Sequence, residues 1–136
     1  MRIAADTNVL VRAAIRDDPQ QAALAIQLLE SAETIVLTLP ALCEFVWVTT
    51  RAYGRGADEV AASLRRLIAS PTARVDRPAV EAGLAFLEQG GDFADGVIGF
   101  EGRRLGGPVF TSFDRDAVRL IAANGGETHL LAPSAE

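Results

Sequence analysis

Apolar residues along the chain recur in two alternating spacings, one typical of short buried strands and the other of amphipathic helices. The segment 34–39 is rich in β-branched residues and predicts a buried strand that ends before Pro40. The segment 19–32 predicts a helix, because one face carries the apolar residues Ala22, Ala23, Ile26 and Leu29. The same reasoning predicts strands at 2–5, 34–39, 72–76, 109–111 and 127–131, and helices from about 8 and at 19–32, 40–53, 57–70, 78–89, 92–105 and 114–124.

Strands separated by helices predict βαβ crossovers and therefore a mainly parallel sheet covered by helices on both faces. We expect an α/β fold, and the length of 136 residues fits a single domain spanning 1–136. In parallel sheets, ligand groups gather at the carboxyl ends of the strands. The residues that directly follow the strands are therefore the first candidates for chemistry.

The composition excludes several classes of enzyme. All 13 basic residues are arginine, so the lysine of P-loop NTPases and of Schiff-base enzymes is absent. The single histidine, His129, excludes a nuclease that uses two histidines as acid and base. The formal net charge of −5 disfavours a simple nucleic-acid binder, because such proteins present positive surface to phosphates. A polyanionic substrate would need positive charge from a bound metal ion.

The sequence predicts a soluble cytoplasmic protein. Asp6 interrupts the N-terminus before an apolar core develops, so we expect no signal peptide, and no apolar run reaches the ~18 residues of a membrane span. Cys43 cannot form an internal disulfide and is expected to be a small buried hydrophobe in a reducing compartment. For Phe45 and Trp47 we favour a place in the core over a role as base-stacking platforms, and we expect a structural role for His129.

Four carboxylates stand at positions where chemistry is expected. Asp6 follows the first predicted strand, Asp114 follows the fourth, and Asp95 lies in the first turn of a helix. Each of these three also has a simpler interpretation as a helix N-cap or as an acid favoured by the helix dipole. Glu44 is the only charged residue in 34–50. Because an unpaired carboxylate is costly to bury, Glu44 either faces solvent or points at a cation, and we favour the cation.

A cluster of these carboxylates requires a counter-ion, because like charges raise one another's pKa values and oppose ionisation. Oxygen ligands without histidine or cysteine favour Mg²⁺, which Mn²⁺ can replace, over Zn²⁺. A metal held in this way orients a phosphodiester, lowers the pKa of a water and stabilises the charge of in-line attack. The residues therefore point to metal-dependent phosphodiester chemistry.

Four segments of the chain resemble PIN-domain nucleases and, more narrowly, the VapC toxins of bacterial type II toxin–antitoxin pairs. They are Asp6-Thr7-Asn8, Glu44 after a Pro-Ala-Leu start, the segment 92–98 (DFADGVI) and the segment 111–116 (TSFDRD). The likeness covers essentially the whole chain in the same order and spacing. It implies a three-layer α/β/α PIN-like (Rossmann-like) fold with a mainly parallel central sheet, metal-dependent cleavage of RNA, a homodimer, and an antitoxin protein that blocks the site.

The resemblance also assigns roles to particular residues. The acidic quartet that binds metal and catalyses cleavage corresponds to Asp6, Glu44, Asp95 and Asp114. Positions that are often acidic correspond to Asp92 and Asp116, and small polar positions beside the metal correspond to Asn8 and Ser112. Family members usually carry alanine or a similar helix former where Gly96 stands, so we expect a looser first turn of that helix here.

Three arginines are candidates to contact RNA phosphates, because a guanidinium offers paired donors. They are Arg115, Arg103 and Arg104. For Arg103 and Arg104 the simpler interpretation, a solvated helix face, is the favoured one.

Two other functions stay open. A haloacid-dehalogenase-like phosphatase or a response-regulator receiver would use the same kind of sheet, but the phosphatase motif needs an aspartate where Asn8 stands, and both groups need a lysine. A catalytically silent PIN-like module that only binds a partner would keep the fold. The intact quartet favours an enzyme over this module.

Overall fold

The computed structural model describes residues 1–133 and divides the chain into two compact units. Unit 1 comprises Met1–Arg77 and unit 2 begins at Pro78, so the boundary falls in the first turn of a helix. Residues 134–136, the end of the expected domain range 1–136, lie outside the described residues. Among residues 1–133, no helix is both long and apolar enough to cross a membrane.

Unit 1 is built on a parallel three-stranded sheet. Its elements are β1 (Arg2–Ala4), α1 (Thr7–Ile15), α2 (Pro19–Ser31), β2 (Thr34–Val36), α3 (Leu39–Trp47), a π-helical turn (Val48–Ala52), α4 (Ala57–Ala69) and β3 (Ala73–Arg74). The strand order is β1-β2-β3. Ile35 of β2 lies opposite Ile3 on one side and Ala73 on the other, and it is buried. The β-branched segment that predicted a buried strand therefore forms the middle of this sheet.

Unit 2 contains a parallel pair of strands and three helices within its described part, residues 78–133. Its elements are α5 (Arg77–Glu88, whose first residue belongs to unit 1), α6 (Phe93–Arg104), β4 (Val109–Ser112), α7 (Arg115–Ala123) and β5 (Glu127–Leu130). Val109 lies opposite Glu127, and Ser112 lies opposite Leu130. The predicted α/β class, with helices alternating with parallel strands, is confirmed.

The helix predicted over 40–53 changes geometry at Val48. The hydroxyls of Thr49 and Thr50 donate to backbone carbonyls four residues earlier, at 2.7 and 2.6 Å. Such hydroxyls compete with the backbone N–H groups for helical acceptors. The N–H of Tyr53 bonds to the carbonyl of Val48, five residues earlier, at 3.2 Å. The π-helical turn Val48–Ala52 that results was not predicted from the sequence.

Gly96 brings α6 close to α5. A Cβ atom at Gly96 would lie 2.6 Å from the carbonyl oxygen of Ala82 and 3.0 Å from Cα of Gly83. Gly83 is equally constrained, because its Cβ would lie 2.6 Å from the ring of Phe93, which is fully buried. The expectation of a looser first turn was wrong. The missing side chain lets the two helices pack closely, and this packing fixes the start of α6, where Asp95 lies.

Two predictions of burial were wrong. Phe45 is fully buried as expected, but Trp47 is 59% exposed. The two residues are two positions apart on α3, about 200° around the helix axis, so one helix face cannot bury both. Cys43 is half-buried instead of buried. His129 is exposed on β5, and its structural role stays a prediction.

Candidate active site

Asp6 directly follows β1 and caps α1. Its backbone is extended, with φ −70° and ψ 155°, and its Oδ1 accepts a hydrogen bond from the N–H of Thr7 at 2.8 Å. The N-cap interpretation of Asp6 is therefore confirmed. The residue is nevertheless exposed, so its carboxylate is also accessible to a ligand.

Glu44 and Asp6 line the same groove in unit 1. This groove of about 330 Å³, called the Asp6 groove below, is lined by Asp6, Thr7, Asn8, Val11, Arg12, Glu44, Val48 and Tyr53. β1 and β2 are neighbouring parallel strands, so the helices that follow them, α1 and α3, begin at the same edge of the sheet. Glu44 is exposed, as its simpler interpretation requires. The structure thus brings together two of the four predicted carboxylates from distant parts of unit 1, together with Asn8.

The side chain of Arg12 also lines the Asp6 groove and gives it a positive charge that was not predicted from the sequence. Nη1 of Arg12 donates to Oδ1 of Asp17 at 2.9 Å and to the hydroxyl of Tyr53 at 3.4 Å. Desolvation lowers the pKa of Arg12, but the charge of Asp17 and the contact with Tyr53 outweigh it and raise that pKa above its ordinary value. The sequence contained one indication that Arg12 lies near the site: it stands four residues after Asn8, and residues at this spacing share a face of a helix.

The acidic residues of the segment 92–95 open helix α6 in unit 2. Asp92 is the N-cap, and its Oδ1 accepts a hydrogen bond from the N–H of Ala94 at 3.0 Å. The N–H of Asp95 donates to the carbonyl of Asp92 at 3.1 Å. Asp95 is half-buried in the first turn. Both residues therefore have the helix-start positions that the sequence predicted.

The pKa of Asp95 is raised. Burial is the largest cause, and the negative charges of Asp92 and Asp114 add to it. Asp92 and Asp114, from two segments of unit 2, therefore lie near enough to Asp95 for their charges to oppose its ionisation. We call Asp92, Asp95 and Asp114 the Asp95 cluster.

Asp114 caps α7 and is itself held by Ser112. Its N–H donates to Oγ of Ser112 at 2.9 Å, and its Oδ1 accepts hydrogen bonds from the N–H groups of Asp116 at 2.9 Å and Ala117 at 3.2 Å. The carboxylate of Asp116 instead pairs with Arg119 at 2.8 Å, where both side chains are largely exposed. Ser112 thus positions Asp114, whereas Asp116 is directed to a neighbour on its own helix.

The comparison with known families covers both units. The PIN domain family matches residues 3–123, a range that includes all four residues of the predicted quartet. The chain belongs to the PIN domain family. PIN domains are generally metal-dependent nucleases, and the resemblance to this family seen in the sequence is therefore confirmed at the level of the family. No curated protein matches the sequence.

The carboxylate oxygens of Asp6, Glu44, Asp95 and Asp114 are the type of ligand that a hard divalent cation such as Mg²⁺ prefers. Among residues 1–133, no group of three or more His, Cys, Asp or Glu side chains is arranged to hold a metal ion. Mg²⁺ does not require such a cage, because it commonly takes one or two carboxylates and keeps several waters. Burial is the main cause of the raised pKa of Asp95, and a bound cation would offset the smaller contribution from the negative charges of Asp92 and Asp114.

The three candidate phosphate-binding arginines differ in their contacts. Arg115 is exposed at the first position of α7, and within residues 1–133 its side chain has no hydrogen bond or ion pair. Nε of Arg104 donates to Oε2 of Glu101 at 2.8 Å, while Arg103 is exposed. The side chain of Arg115 is therefore available to an anion, and the solvated-face interpretation suits Arg104.

Proposed function

We propose that this PIN domain is an Mg²⁺-dependent endoribonuclease that acts as the toxin of a toxin–antitoxin pair. The observation that carries the proposal is the grouping of carboxylates in a PIN-domain chain. Asp6 and Glu44 share one groove in unit 1, and Asp95 and Asp114 interact within one acidic cluster in unit 2. The family match across both units supports the further proposal that they form one PIN domain.

In this proposal the quartet serves a single hydrolytic reaction. Asp6, Glu44, Asp95 and Asp114 bind the cation and orient the attacking water. An Mg²⁺ or Mn²⁺ ion held by these residues would supply Lewis-acid charge to the phosphodiester and would lower the pKa of a water.

The remaining predicted site residues support the quartet. Asn8 contributes a small polar side chain in the Asp6 groove, and Asp92 adds negative charge to the Asp95 cluster. Ser112 holds Asp114, and Arg115 binds a phosphate of the RNA strand. The ion pair of Asp116 with Arg119 favours a role for Asp116 in helix α7 over a role as a ligand.

The biological setting proposed here follows from the resemblance to VapC toxins. The protein would act in the cytoplasm as a homodimer and be inhibited by a cognate antitoxin protein. A short upstream reading frame that encodes a DNA-binding protein would support this setting. Co-expression of that protein is expected to abolish the ribonuclease activity and the growth defect caused by the PIN domain.

The enzymatic part of the proposal is tested by cleavage of defined RNAs in different metals. We expect cleavage in Mg²⁺ or Mn²⁺, no cleavage in chelator, and products with 5′-phosphate and 3′-hydroxyl ends. Asp58→Asn is a matched control, because Asp58 is an exposed aspartate in the first turn of α4, and it should cleave like the wild type. Products with 2′,3′-cyclic phosphate, or full activity in chelator, would refute the proposal.

A further inference from the structure

Trp47 presents a large aromatic ring to solvent at the end of α3. It is the only tryptophan of the chain, and 59% of its surface is exposed. A fully buried aromatic side chain removes 150–250 Å² of surface from water. Because Trp47 stays largely exposed, folding gains little of the hydrophobic stabilisation that burial of its ring would give. Exposure alone does not mark a site, because isolated apolar residues on a protein surface are common. The position of the ring supplies the second observation.

The ring is attached beside the Asp6 groove. Trp47 follows Glu44 by three residues on α3, a spacing at which helical side chains are neighbours with Cβ atoms about 5–6 Å apart. Its next neighbour in the chain, Val48, lines the groove together with Glu44. The backbone at this point is tied down, because Oγ1 of Thr50 donates to the carbonyl of Trp47 at 3.2 Å. The ring is therefore presented from a fixed backbone next to a carboxylate of the proposed site.

We propose that Trp47 is a stacking platform for a nucleobase of single-stranded RNA whose phosphate lies in the Asp6 groove. This inference rests on the proposed ribonuclease function. The groove offers carboxylates for a cation, and the guanidinium of Arg12, whose Nη1 is held by Asp17 and Tyr53, adds positive charge for a phosphate. These groups serve only the sugar–phosphate backbone. Every nucleobase has a π-face, and an aromatic ring beside a backbone-binding groove is the usual means of holding single strands.

The exposed residues of α3 and the π-helical turn favour a nucleobase over a protein surface as the partner of Trp47. A stable protein interface buries about 800 Å² on each partner and has an apolar centre. The other exposed residues of α3 and the π-helical turn are polar or small, namely Pro40, Glu44, Arg51 and Ala52. No second large apolar side chain of these two elements is exposed. A single ring is sufficient for a base and insufficient for the centre of an interface.

The inference is tested by the fluorescence of the chain's only tryptophan. The full chain is titrated with a 12-residue oligoadenylate RNA in Ca²⁺ instead of Mg²⁺, and the oligomer is checked on a gel for intactness. A ribose–phosphate oligomer of the same length without bases is the second probe. We expect the oligoadenylate to quench the emission of Trp47 and the abasic oligomer to leave it unchanged.

Substitutions separate stacking from other roles of the ring. Neither Trp47→Leu nor Trp47→Phe retains a tryptophan, so their affinities are measured from the anisotropy of a dye-labelled oligoadenylate. Trp47→Leu should weaken binding of the oligoadenylate about ten-fold, whereas Trp47→Phe should retain most of the affinity because it keeps an aromatic face. Both variants should bind the abasic oligomer like the wild type. In Mg²⁺, Trp47→Leu should raise KM and leave kcat unchanged. The control is Leu105→Ala, which alters an apolar residue that is 80% exposed at the end of α6 and should match the wild type.

The outcomes distinguish this inference from the proposed function. Equal oligoadenylate affinity for the wild type and Trp47→Leu, with Mg²⁺-dependent cleavage intact, would overturn the stacking role and leave the ribonuclease proposal standing. Emission that changes with protein concentration in the absence of RNA would place the ring in a contact between copies of the chain and also overturn it. Absence of cleavage by the wild type in every metal would instead refute the proposed function.

Discussion

Asp114 and Ser112 hold each other in a fixed arrangement at the end of β4. The N–H of Asp114 donates to Oγ of Ser112 at 2.9 Å, while Oδ1 of Asp114 accepts two N–H groups from the first turn of α7. One carboxylate oxygen is thus committed to the helix. The serine orients the backbone that carries this member of the Asp95 cluster.

Removing the Ser112 hydroxyl should affect both stability and cleavage. Ser112→Ala leaves the N–H of Asp114 without its acceptor, which typically costs about 1 kcal/mol, and it loosens the placement of a proposed ligand. We expect a lower midpoint of urea unfolding and slower cleavage in Mg²⁺. Ser112→Thr retains the hydroxyl and should preserve more of both. Equal cleavage by the Ala variant and the wild type would contradict a positioning role for Ser112.

Two substitutions of Asp6 should separate helix capping from metal binding. Asparagine caps a helix about as well as aspartate, whereas alanine loses about 1 kcal/mol. Asp6→Asn should therefore abolish cleavage and leave the unfolding midpoint unchanged or slightly higher, because it removes a negative charge. Asp6→Ala should abolish cleavage and also lower the midpoint. Cleavage at the wild-type rate by Asp6→Asn would remove Asp6 from the site.

Gly96→Ala should destabilise the protein although alanine is the better helix former by about 1 kcal/mol. The new Cβ would lie 2.6 Å from the carbonyl oxygen of Ala82, and this backbone atom cannot move aside without displacing α5. Overpacking of this kind costs roughly 1–3 kcal/mol.

Gly99→Ala is the matched control in the same helix. Its Cβ would meet only the end of the Ile121 side chain at 3.0 Å, which can rotate away. Urea unfolding of both variants tests the difference, and a Gly96→Ala variant as stable as Gly99→Ala would show that the close packing of α5 and α6 is not required.

The raised pKa of Asp95 predicts the direction of a pH effect in metal-free protein. A carboxyl whose folded-state pKa exceeds its unfolded value binds more protons in the folded state, so its contribution to stability decreases as the pH rises through the folded pKa. In chelator, Asp95→Asn should therefore be more stable than the wild type at neutral pH, and the difference should shrink in acid. A difference that grows as the pH falls would contradict the described cluster.

Much of the fold was predictable because local sequence patterns determine where helices and strands occur. The β-branched segment of β2 and the apolar spacing of α2 located these elements within a few residues. The π-helical turn was missed, because it depends on which backbone carbonyls receive hydrogen bonds from the hydroxyls of Thr49 and Thr50. Gly96 was misinterpreted for a similar reason, since its neighbour Ala82 lies on another helix.

The candidate site was predictable only in part. The residues that end strands or begin helices identified Asp6 and Asp114, and both are N-caps with accessible carboxylates. Arg12 and Tyr53, which contact each other, are 41 residues apart in the sequence. Local sequence patterns cannot predict a contact over such a separation. The exposure of Trp47 depends on what packs against α3, and the hydrophobic pattern of that helix does not determine it.

Binding of a divalent cation by the quartet carboxylates can be measured by calorimetric titration with Mn²⁺. We expect measurable binding to the wild type and to the control Asp58→Asn. Binding should be clearly weaker in each of the isosteric variants Asp6→Asn, Glu44→Gln, Asp95→Asn and Asp114→Asn. Wild-type affinity in all four variants, or no binding of Mn²⁺ to the wild type, would show that the quartet is not a metal site.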